Sequence, residues 1–127
     1  MKRVLVCEDE VVIREFIVVN LRRAGYDVAD TECGEAALQA FADANGEFDI
    51  ALLDIMMEGI DGLEVCKRLR AQSEKLGIIL LTALAQKEDR QKGMECGADL
   101  YLTKPFSPSM LVTQVNQLYQ LINKGKN

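Results

Sequence analysis

Residues 51–62 read ALLDIMMEGIDG, an apolar run that ends on the carboxylate of Asp54 and continues into two methionines and a loop with glycines. A short continuous apolar run bounded by turn residues is typical of a strand buried on both faces. Asp61 stands directly before Gly62 and a helical apolar pattern that begins at Leu63, so this helix has its own N-cap candidate. Asp54 is therefore not needed as a cap, and the stretch predicts a buried strand that carries Asp54 to the edge of a sheet.

Apolar runs and helical patterns alternate along the whole chain on both sides of this stretch. Strands are predicted at residues 4–7, 28–31, 50–54, 78–82 and 100–103, and helices at 10–24, 34–44, 63–72, 86–96 and 107–123. This alternation predicts an α/β fold, a doubly wound five-stranded parallel sheet with five helices and the flavodoxin-like strand order 2-1-3-4-5. We expect one domain over residues 1–124, followed by a tail or linker stub at 125–127.

Composition excludes several classes of function. The 127 residues suit one domain, and a net charge of −5 has the wrong sign for binding nucleic acid directly. No run approaches the roughly 20 apolar residues of a membrane helix, and Glu8, Asp9 and Glu10 interrupt the opening that a signal peptide would need. We therefore expect a cytoplasmic protein without membrane association.

Cysteine and histidine usage narrows the chemistry further. Cys7, Cys33, Cys66 and Cys96 form no CxxC pair, and the chain contains no histidine. Zinc and dithiol redox motifs therefore fail on spacing, and Ser-His and Cys-His catalysis is excluded. The cysteines are interpreted as small buried hydrophobic residues in a reducing compartment.

Polar residues stand at the carboxyl ends of four predicted strands: Glu8 and Asp9 at the first, Asp54 at the third, Thr82 at the fourth and Lys104 at the fifth. These ends meet at one edge of a parallel sheet, where ligands bind in such folds. Three carboxylates brought together need a cation, and oxygen donors without histidine or cysteine fit Mg²⁺. One Mg²⁺ and one lysine would balance the three negative charges.

This set of groups suits phosphoryl transfer to a carboxylate. A metal ion and a lysine can stabilise charge on a transferring phosphoryl group while Asp54 attacks it, and Thr82 adds a hydroxyl donor. The sequence offers no dedicated acid for the leaving group and no glycine-rich phosphate loop. We expect the phosphoryl group to arrive already activated on another molecule.

Four motifs together give a specific resemblance: CEDE at residues 7–10, LLDIMMEGIDG at 52–62, LLTA at 80–83 and GADLYLTKPF at 97–106. With them the chain resembles the receiver domain of bacterial two-component response regulators over essentially its whole length. The resemblance implies a phospho-accepting switch rather than an enzyme. Asp54 would take the phosphoryl group from a phosphohistidine of a sensor histidine kinase or histidine phosphotransfer protein, with Mg²⁺ as cofactor.

The resemblance also implies a role for each site residue. Asp9, Asp54 and the backbone carbonyl of Met56 would ligate Mg²⁺, and Glu8 would act through water. Lys104 would pair with the phosphoryl group, and its peptide bond to Pro105 would be cis.

The same resemblance implies that Thr82 and Tyr101 form a switch pair. Phosphorylation would draw the threonine hydroxyl inward, the aromatic ring would fill the vacated space, and the surface of the fourth helix, fifth strand and fifth helix would repack. That surface would control an output partner or domain and could also mediate self-association. Asp99 and charges at residues 87–90 partly suit such a self-association surface.

Two features of the sequence leave questions open. Val12, Phe16 and Val19 form a second apolar stripe on the first helix, which is either a wide core-facing stripe or a docking surface for the kinase or phosphotransfer protein. Glu58 stands where the family commonly has proline, and Met56 and Leu84 are apolar positions that would flank the phosphoryl group. We hypothesise that these two side chains hinder an attacking water and make the aspartyl phosphate long-lived.

Two other classes share parts of this pattern. A flavin-binding electron carrier of the same architecture needs a phosphate loop after the first strand, where Glu8, Asp9 and Glu10 would repel the phosphate. An aspartate-dependent phosphatase needs a second acid two residues after the nucleophile, where this chain has Met56. Both alternatives fit the sequence less well than a receiver domain.

Overall fold

The computed structural model describes residues 2–83 and 87–124, and for residues 87–90 it describes the backbone only. The strands are β1 (Arg3–Cys7), β2 (Asp27–Thr31), β3 (Ile50–Asp54), β4 (Gly77–Thr82) and β5 (Leu100–Thr103). The helices are α1 (Val11–Arg23), α2 (Gly34–Asp43), α3 (Gly62–Gln72), α4 (Lys87–Glu95) and α5 (Pro108–Lys124). Residues 125–127, expected as a tail, lie outside the described residues.

The strands form one parallel sheet in the order β2-β1-β3-β4-β5, which confirms the predicted fold. Strand β3 lies at the centre, between β1 and β4. Leu5 pairs with Ala51 across β1 and β3, and Ala51 pairs with Ile78 across β3 and β4. This order places the residues that follow β1 beside the end of β3.

Two hydrophobic layers enclose the sheet. Ile50 and Leu52 of β3 face the layer beneath α1 and α5, whereas Ala51 and Leu53 face the layer beneath α2 and α3. Every residue of β3 is buried. Burial on both faces explains why β3 is a continuous apolar run rather than an alternating one.

The helix ends follow local sequence signals. The Asp61 carboxylate accepts a hydrogen bond of 2.9 Å from the backbone N–H of Glu64, and the Ser107 hydroxyl accepts one of 3.1 Å from that of Met110. The predicted Asp61 cap is confirmed, and Ser107 caps α5 in the same way. The Glu10 side chain makes no capping bond to α1, and several element ends differ from the predicted ones by one residue. No helix in the described part of the chain has the length and apolar character needed to cross a membrane.

Candidate functional site

Three carboxylates meet at the carboxyl edge of the sheet. One oxygen each from Glu8, Asp9 and Asp54 lies within 4.8 Å of the others. Glu8 is fully buried and Asp54 is 3% exposed, while Asp9 faces solvent. The strand order causes this meeting, because β1 and β3 are hydrogen-bonded neighbours.

Lys104 bridges the two buried carboxylates. Its Nζ lies 2.7 Å from Oε1 of Glu8 and 3.3 Å from Oδ2 of Asp54. Its backbone N–H donates a 2.8 Å hydrogen bond to the carbonyl of Thr82, which fixes the end of β5 to the end of β4. The peptide bond from Lys104 to Pro105 is cis.

Burial makes this cluster electrostatically unusual. Loss of solvent and the neighbouring Asp54 raise the pKa of Glu8 to about 7, although Lys104 opposes the shift. Burial alone would lower the pKa of Lys104, but its contacts with Glu8 and Asp54 outweigh burial and raise it. A single lysine therefore leaves the negative charge of the three carboxylates incompletely balanced.

The donor set fits a hard divalent cation. Beyond its ion pair with Lys104, the buried Oε1 of Glu8 has no hydrogen-bond partner among the described residues. Carboxylate oxygens are the ligands that Mg²⁺ prefers, and three of them lie close together here with one lysine to balance their charge. The carboxylates predicted to meet at this edge are thus grouped so that they could hold a cation.

Met56 lies next to Asp54 through its backbone. Its N–H donates a 3.1 Å hydrogen bond to Oδ1 of Asp54, and its side chain is 62% exposed. That side chain borders an open groove of about 470 Å³. The groove is lined by Asp9, Ile55, Met56, Met57, Glu58, Gly59 and Asp61. The apolar thioether therefore stands on the open side of the carboxylate cluster.

Gly62 is a site residue that the sequence reasoning missed. A side chain on Gly62 would overlap the carbonyl oxygen of Asp54 and lie 2.8 Å from Cα of Ile55. Its backbone N–H also donates a 3.1 Å hydrogen bond to the Ile55 carbonyl. Only glycine lets the first turn of α3 approach the backbone of Asp54 so closely. The Asp61-Gly62 pair was the available signal, but it was interpreted only as a helix start.

The loop between β3 and α3 contacts α2. Gly59 has a positive φ of 80°, and the backbone N–H of Ile60 lies 3.4 Å from Oε1 of Glu35. Hydrogen bonds from the backbone N–H of Glu35 itself and from that of Ile60 lower the pKa of the Glu35 carboxyl. Glu58, at the position where proline was expected, is exposed. The loop thus has support from a neighbouring helix where the family's proline is missing.

The proposed switch residues lie on the neighbouring strands β4 and β5. Thr82 is 1% exposed at the end of β4 and pairs with Thr103. Tyr101 is half-buried, pairs with Leu80 and packs against the layer beneath α2 and α3. Leu84 lies outside the described residues.

The apolar stripe on α1 is divided between core and surface. Phe16 packs against the core and against Phe106, with ring centroids 5.9 Å apart. Val12 is 77% exposed and Val19 is 47% exposed. An apolar cavity of about 480 Å³ is lined by Val12, Ile13, Phe16, Ala83, Lys104, Pro105 and Phe106. It connects the exposed end of α1 with the lysine of the carboxylate cluster.

The four cysteines are free thiols. Cys7 and Cys66 are buried, and burial raises the pKa of each thiol to about 12. Cys33 and Cys96 are half-buried. The expectation of small buried hydrophobic residues thus holds fully for two of the four.

Comparisons with known proteins agree with this geometry. The family model described as "Response regulator receiver domain" matches residues 4–116. The alkaline phosphatase synthesis transcriptional regulatory protein PhoP of Bacillus subtilis is 41% identical over 117 residues, which cover 92% of this chain and 48% of PhoP. The chain thus spans about half the length of the curated relatives it matches.

Solved structures show the same fold. The chemotaxis protein CheY4 of Vibrio cholerae superposes with a TM-score of 0.88 at 32% identity, covering 93% of this chain and 98% of that one. The response regulator TrrA of Thermotoga maritima, solved in complex with Mg²⁺ and a beryllium fluoride, has a TM-score of 0.82 at 39% identity. That match covers 93% of this chain and 99% of TrrA.

Proposed function

This chain belongs to the response regulator receiver family, and on that premise we propose that it is a phosphoryl-accepting switch with Asp54 as the acceptor. The observation that carries the proposal is the pairing of buried Asp54 with Lys104, at 3.3 Å, beside two further carboxylates. An isolated structural aspartate has no need of such a cluster. The domain would extend over residues 1–124, since α5 ends at Lys124.

The chemical step is an attack by a carboxylate oxygen of Asp54 on the phosphorus of a phosphohistidine. The new P–O bond forms as the P–N bond breaks, and the imidazole nitrogen keeps the electron pair of the broken bond. Lys104 lies where its ammonium can pair with a phosphoryl oxygen. The Thr82 hydroxyl lies at the end of the adjacent strand β4 and can donate a hydrogen bond to a second phosphoryl oxygen.

Receiver domains bind Mg²⁺ at an acidic pocket, and the residues of this chain fit that ion. Asp9, Asp54 and the carbonyl of Met56 would hold it, and Glu8 would act through water. When bound, Mg²⁺ supplies positive charge to the oxygens of the transferring group. The grouping of one oxygen each from Glu8, Asp9 and Asp54 within 4.8 Å of one another supports this assignment.

A direct experiment tests the acceptor. The protein is incubated with acetyl phosphate and Mg²⁺, and intact mass is measured for the wild type, Asp54→Asn and Asp61→Asn. We expect a gain of one phosphoryl group in the wild type and in Asp61→Asn, because asparagine is also a good N-cap. Asp54→Asn should show none. Absence of the gain in the wild type, or its persistence in Asp54→Asn, would overturn the assignment.

The partner for phosphoryl transfer would be a sensor histidine kinase or a histidine phosphotransfer protein, docked on α1. The exposed Val12 and the apolar cavity that reaches Lys104 support this surface. Val12→Glu should slow transfer from a phosphorylated partner while leaving phosphorylation by acetyl phosphate unchanged. Val11→Glu is the matched control, since Val11 is 54% exposed and does not line the cavity. Equal slowing by both substitutions would argue against this docking surface.

The lifetime of the phosphoryl group is a further part of the proposal. The exposed thioether of Met56 borders the groove beside Asp54 and would hinder an attacking water. Met56→Asn should therefore shorten the half-life of the phosphoprotein. Equal rates of phosphate release from the wild type and the variant would contradict this role.

Phosphorylation would be transmitted through Thr82 and Tyr101 to the surface formed by α4, β5 and α5, which would control an output partner or domain. The positions of both residues on adjacent strands support this route. Self-association through the same surface is proposed without Asp99, whose carboxylate already accepts from Arg70 and from the backbone of Ile78, at 2.9 and 2.8 Å.

A further inference from the structure

Helix α4 has an unusual sequence for a helix that covers a sheet. Its nine residues read KEDRQKGME, and its one large apolar side chain, Met94, is 57% exposed. Among the residues of α4 whose side chains are described, 91–95, the buried one is Gly93. An amphipathic stripe therefore does not hold α4 on the sheet.

Gly93 lies directly on the ring of Tyr101. A side chain on Gly93 would overlap the Tyr101 hydroxyl, and it would lie 2.5 Å from Cζ of that ring and 2.7 Å from Cδ1 of Leu80. All three separations are shorter than a van der Waals contact between carbon and its neighbours. The half-buried position of the ring therefore exists because residue 93 has no side chain.

The carboxyl end of α4 is fixed separately by Arg70. The Arg70 guanidinium donates to the Gly97 carbonyl at 2.9 and 2.8 Å and to the Leu76 carbonyl at 2.6 Å. It also pairs with Asp99 at 2.9 Å. These bonds join the turn after α4 to the end of α3 and the start of β4, so α4 has a fixed end within one turn of Gly93.

We propose that Gly93 is the positioning residue of the switch, because it couples the position of the Tyr101 ring to the position of α4. The proposal rests on the function proposed above and adds the contact through which Tyr101 acts on the surface. The Tyr101 ring can lie inward only because the residue of α4 that faces it, Gly93, has no side chain. A ring that moves inward or outward therefore changes the support of α4, which has no other described apolar anchor.

The geometry also gives the direction of response to an added methyl group. Arg70 fixes the neighbouring turn, whereas the Tyr101 hydroxyl is the far end of a rotatable side chain. Gly93→Ala should therefore expel the ring toward solvent rather than lift the helix. The energetic cost of overpacking by one methyl group corresponds to a shift of roughly tenfold or more in an equilibrium constant. We therefore expect nitration of Tyr101 by tetranitromethane to accelerate by about that factor.

The experiment measures nitration of each tyrosine by peptide mass spectrometry, without any phosphoryl donor. Gln91→Ala is the matched control, because Gln91 is exposed on the same helix and the substitution also introduces alanine. Its Tyr101 nitration should equal that of the wild type. An unchanged Tyr101 rate in Gly93→Ala, or an equal increase in Gln91→Ala, would overturn the proposal.

A double-mutant cycle separates coupling from a general effect on the helix. Gly93→Ala should lower the free energy of unfolding much more in the Tyr101 background than with Tyr101→Ala, where only the short contact with Cδ1 of Leu80 remains and alanine favours helix. The same loss in both backgrounds would show that Gly93 acts without Tyr101 and would sink the proposal.

A last arm adds acetyl phosphate and Mg²⁺. Gly93→Ala should accept the phosphoryl group on Asp54 at the wild-type rate, but its Tyr101 nitration should no longer respond to phosphorylation. A wild type that accepts no phosphoryl group would refute the proposed function alone, because the donor-free nitration rates still decide the contact between Gly93 and Tyr101.

Discussion

Helices α4 and α5 lie on opposite faces of the sheet beside β5, and they are held in different ways. Helix α5 has 17 residues and buries Leu111, Val115 and Leu118. Helix α4 has nine residues, and among its described side-chain positions Gly93 is the buried one. One helix is fixed by apolar side chains, and the other by close backbone approach and a neighbouring arginine.

This difference indicates which helix can respond to a change at Asp54, the proposed acceptor. Each fully buried leucine stabilises its element by about 2–5 kcal/mol relative to alanine. Displacing α5 would sacrifice several such contacts, whereas displacing α4 would mainly change the packing of Gly93 on Tyr101 and Leu80. Elements with few buried apolar contacts open at lower free energy. The proposed repacking should therefore centre on α4, with α5 as the fixed neighbour.

The largest expected effect comes from removing an anchor of α5. Leu111 is fully buried, and Leu111→Ala should lower the free energy of unfolding by about 2–5 kcal/mol because it leaves a cavity. Met94→Ala in α4 should change it by less than about 0.5 kcal/mol, since this side chain is mostly exposed. Urea unfolding followed by circular dichroism measures both values.

Met110→Ala is the control for helix propensity in α5, because Met110 adjoins Leu111 and is 49% exposed. A small loss in Met110→Ala with a large loss in Leu111→Ala would sharpen the comparison. Equal losses in Leu111→Ala and Met94→Ala would mean that α4 is anchored as firmly as α5.

An intermediate effect is expected at the anchor of α4. Arg70→Ala leaves the carbonyls of Gly97 and Leu76 without their donor, which should lower the free energy of unfolding by about 1–3 kcal/mol. The loss should be greatest near α4. Amide hydrogen exchange at residues 91–97 should therefore accelerate roughly tenfold, while exchange within α5 should change little.

Arg68→Ala is the matched control on the same helix. Arg68 is about half exposed and pairs with Glu64 at 3.1 Å, one turn away. Such an exposed pair contributes about 0.3–0.5 kcal/mol. If Arg68→Ala and Arg70→Ala accelerate exchange in α4 equally, the Arg70 contacts do not anchor this helix.

The fold was largely predictable because its signals are local. The continuous apolar run of residues 50–54 requires burial on both faces, and the caps Asp61 and Ser107 act within a few residues of themselves. The strand order then brings Glu8 and Asp9 beside Asp54. Because the carboxyl ends of parallel strands meet at one edge of the sheet, the carboxylate cluster was predictable as well.

The residues that the sequence did not reveal act over long distances in the chain. Gly62 and Gly93 matter because atoms of Asp54 and Tyr101 fill the space where a side chain at these two positions would lie. A glycine within a helical pattern looks like a weak position unless its tertiary neighbour is known. Asp99 was expected to suit a self-association surface, and its contact with Arg70, 29 residues away, could not be predicted from the sequence.

The smallest effect concerns a polar contact of α5 and depends on pH. Tyr26 is 4% exposed, and its hydroxyl donates to the side-chain oxygen of Asn116 on α5. Burial raises the pKa of Tyr26 from 10.0 to about 12. The folded protein therefore keeps this proton at a pH where the unfolded chain loses it, and alkaline conditions favour unfolding.

The contribution of Tyr26 is fully present below pH 10 and is lost as the pH rises through about 12. By pH 11 the free energy of unfolding should have fallen by about 1 kcal/mol from this source. Tyr26→Phe should remove that part of the pH dependence while keeping the ring in place. Because the loss belongs to the α5 side, exchange in α4 should not follow it. A Tyr26→Phe variant with the same alkaline decline as the wild type would show that another group causes it.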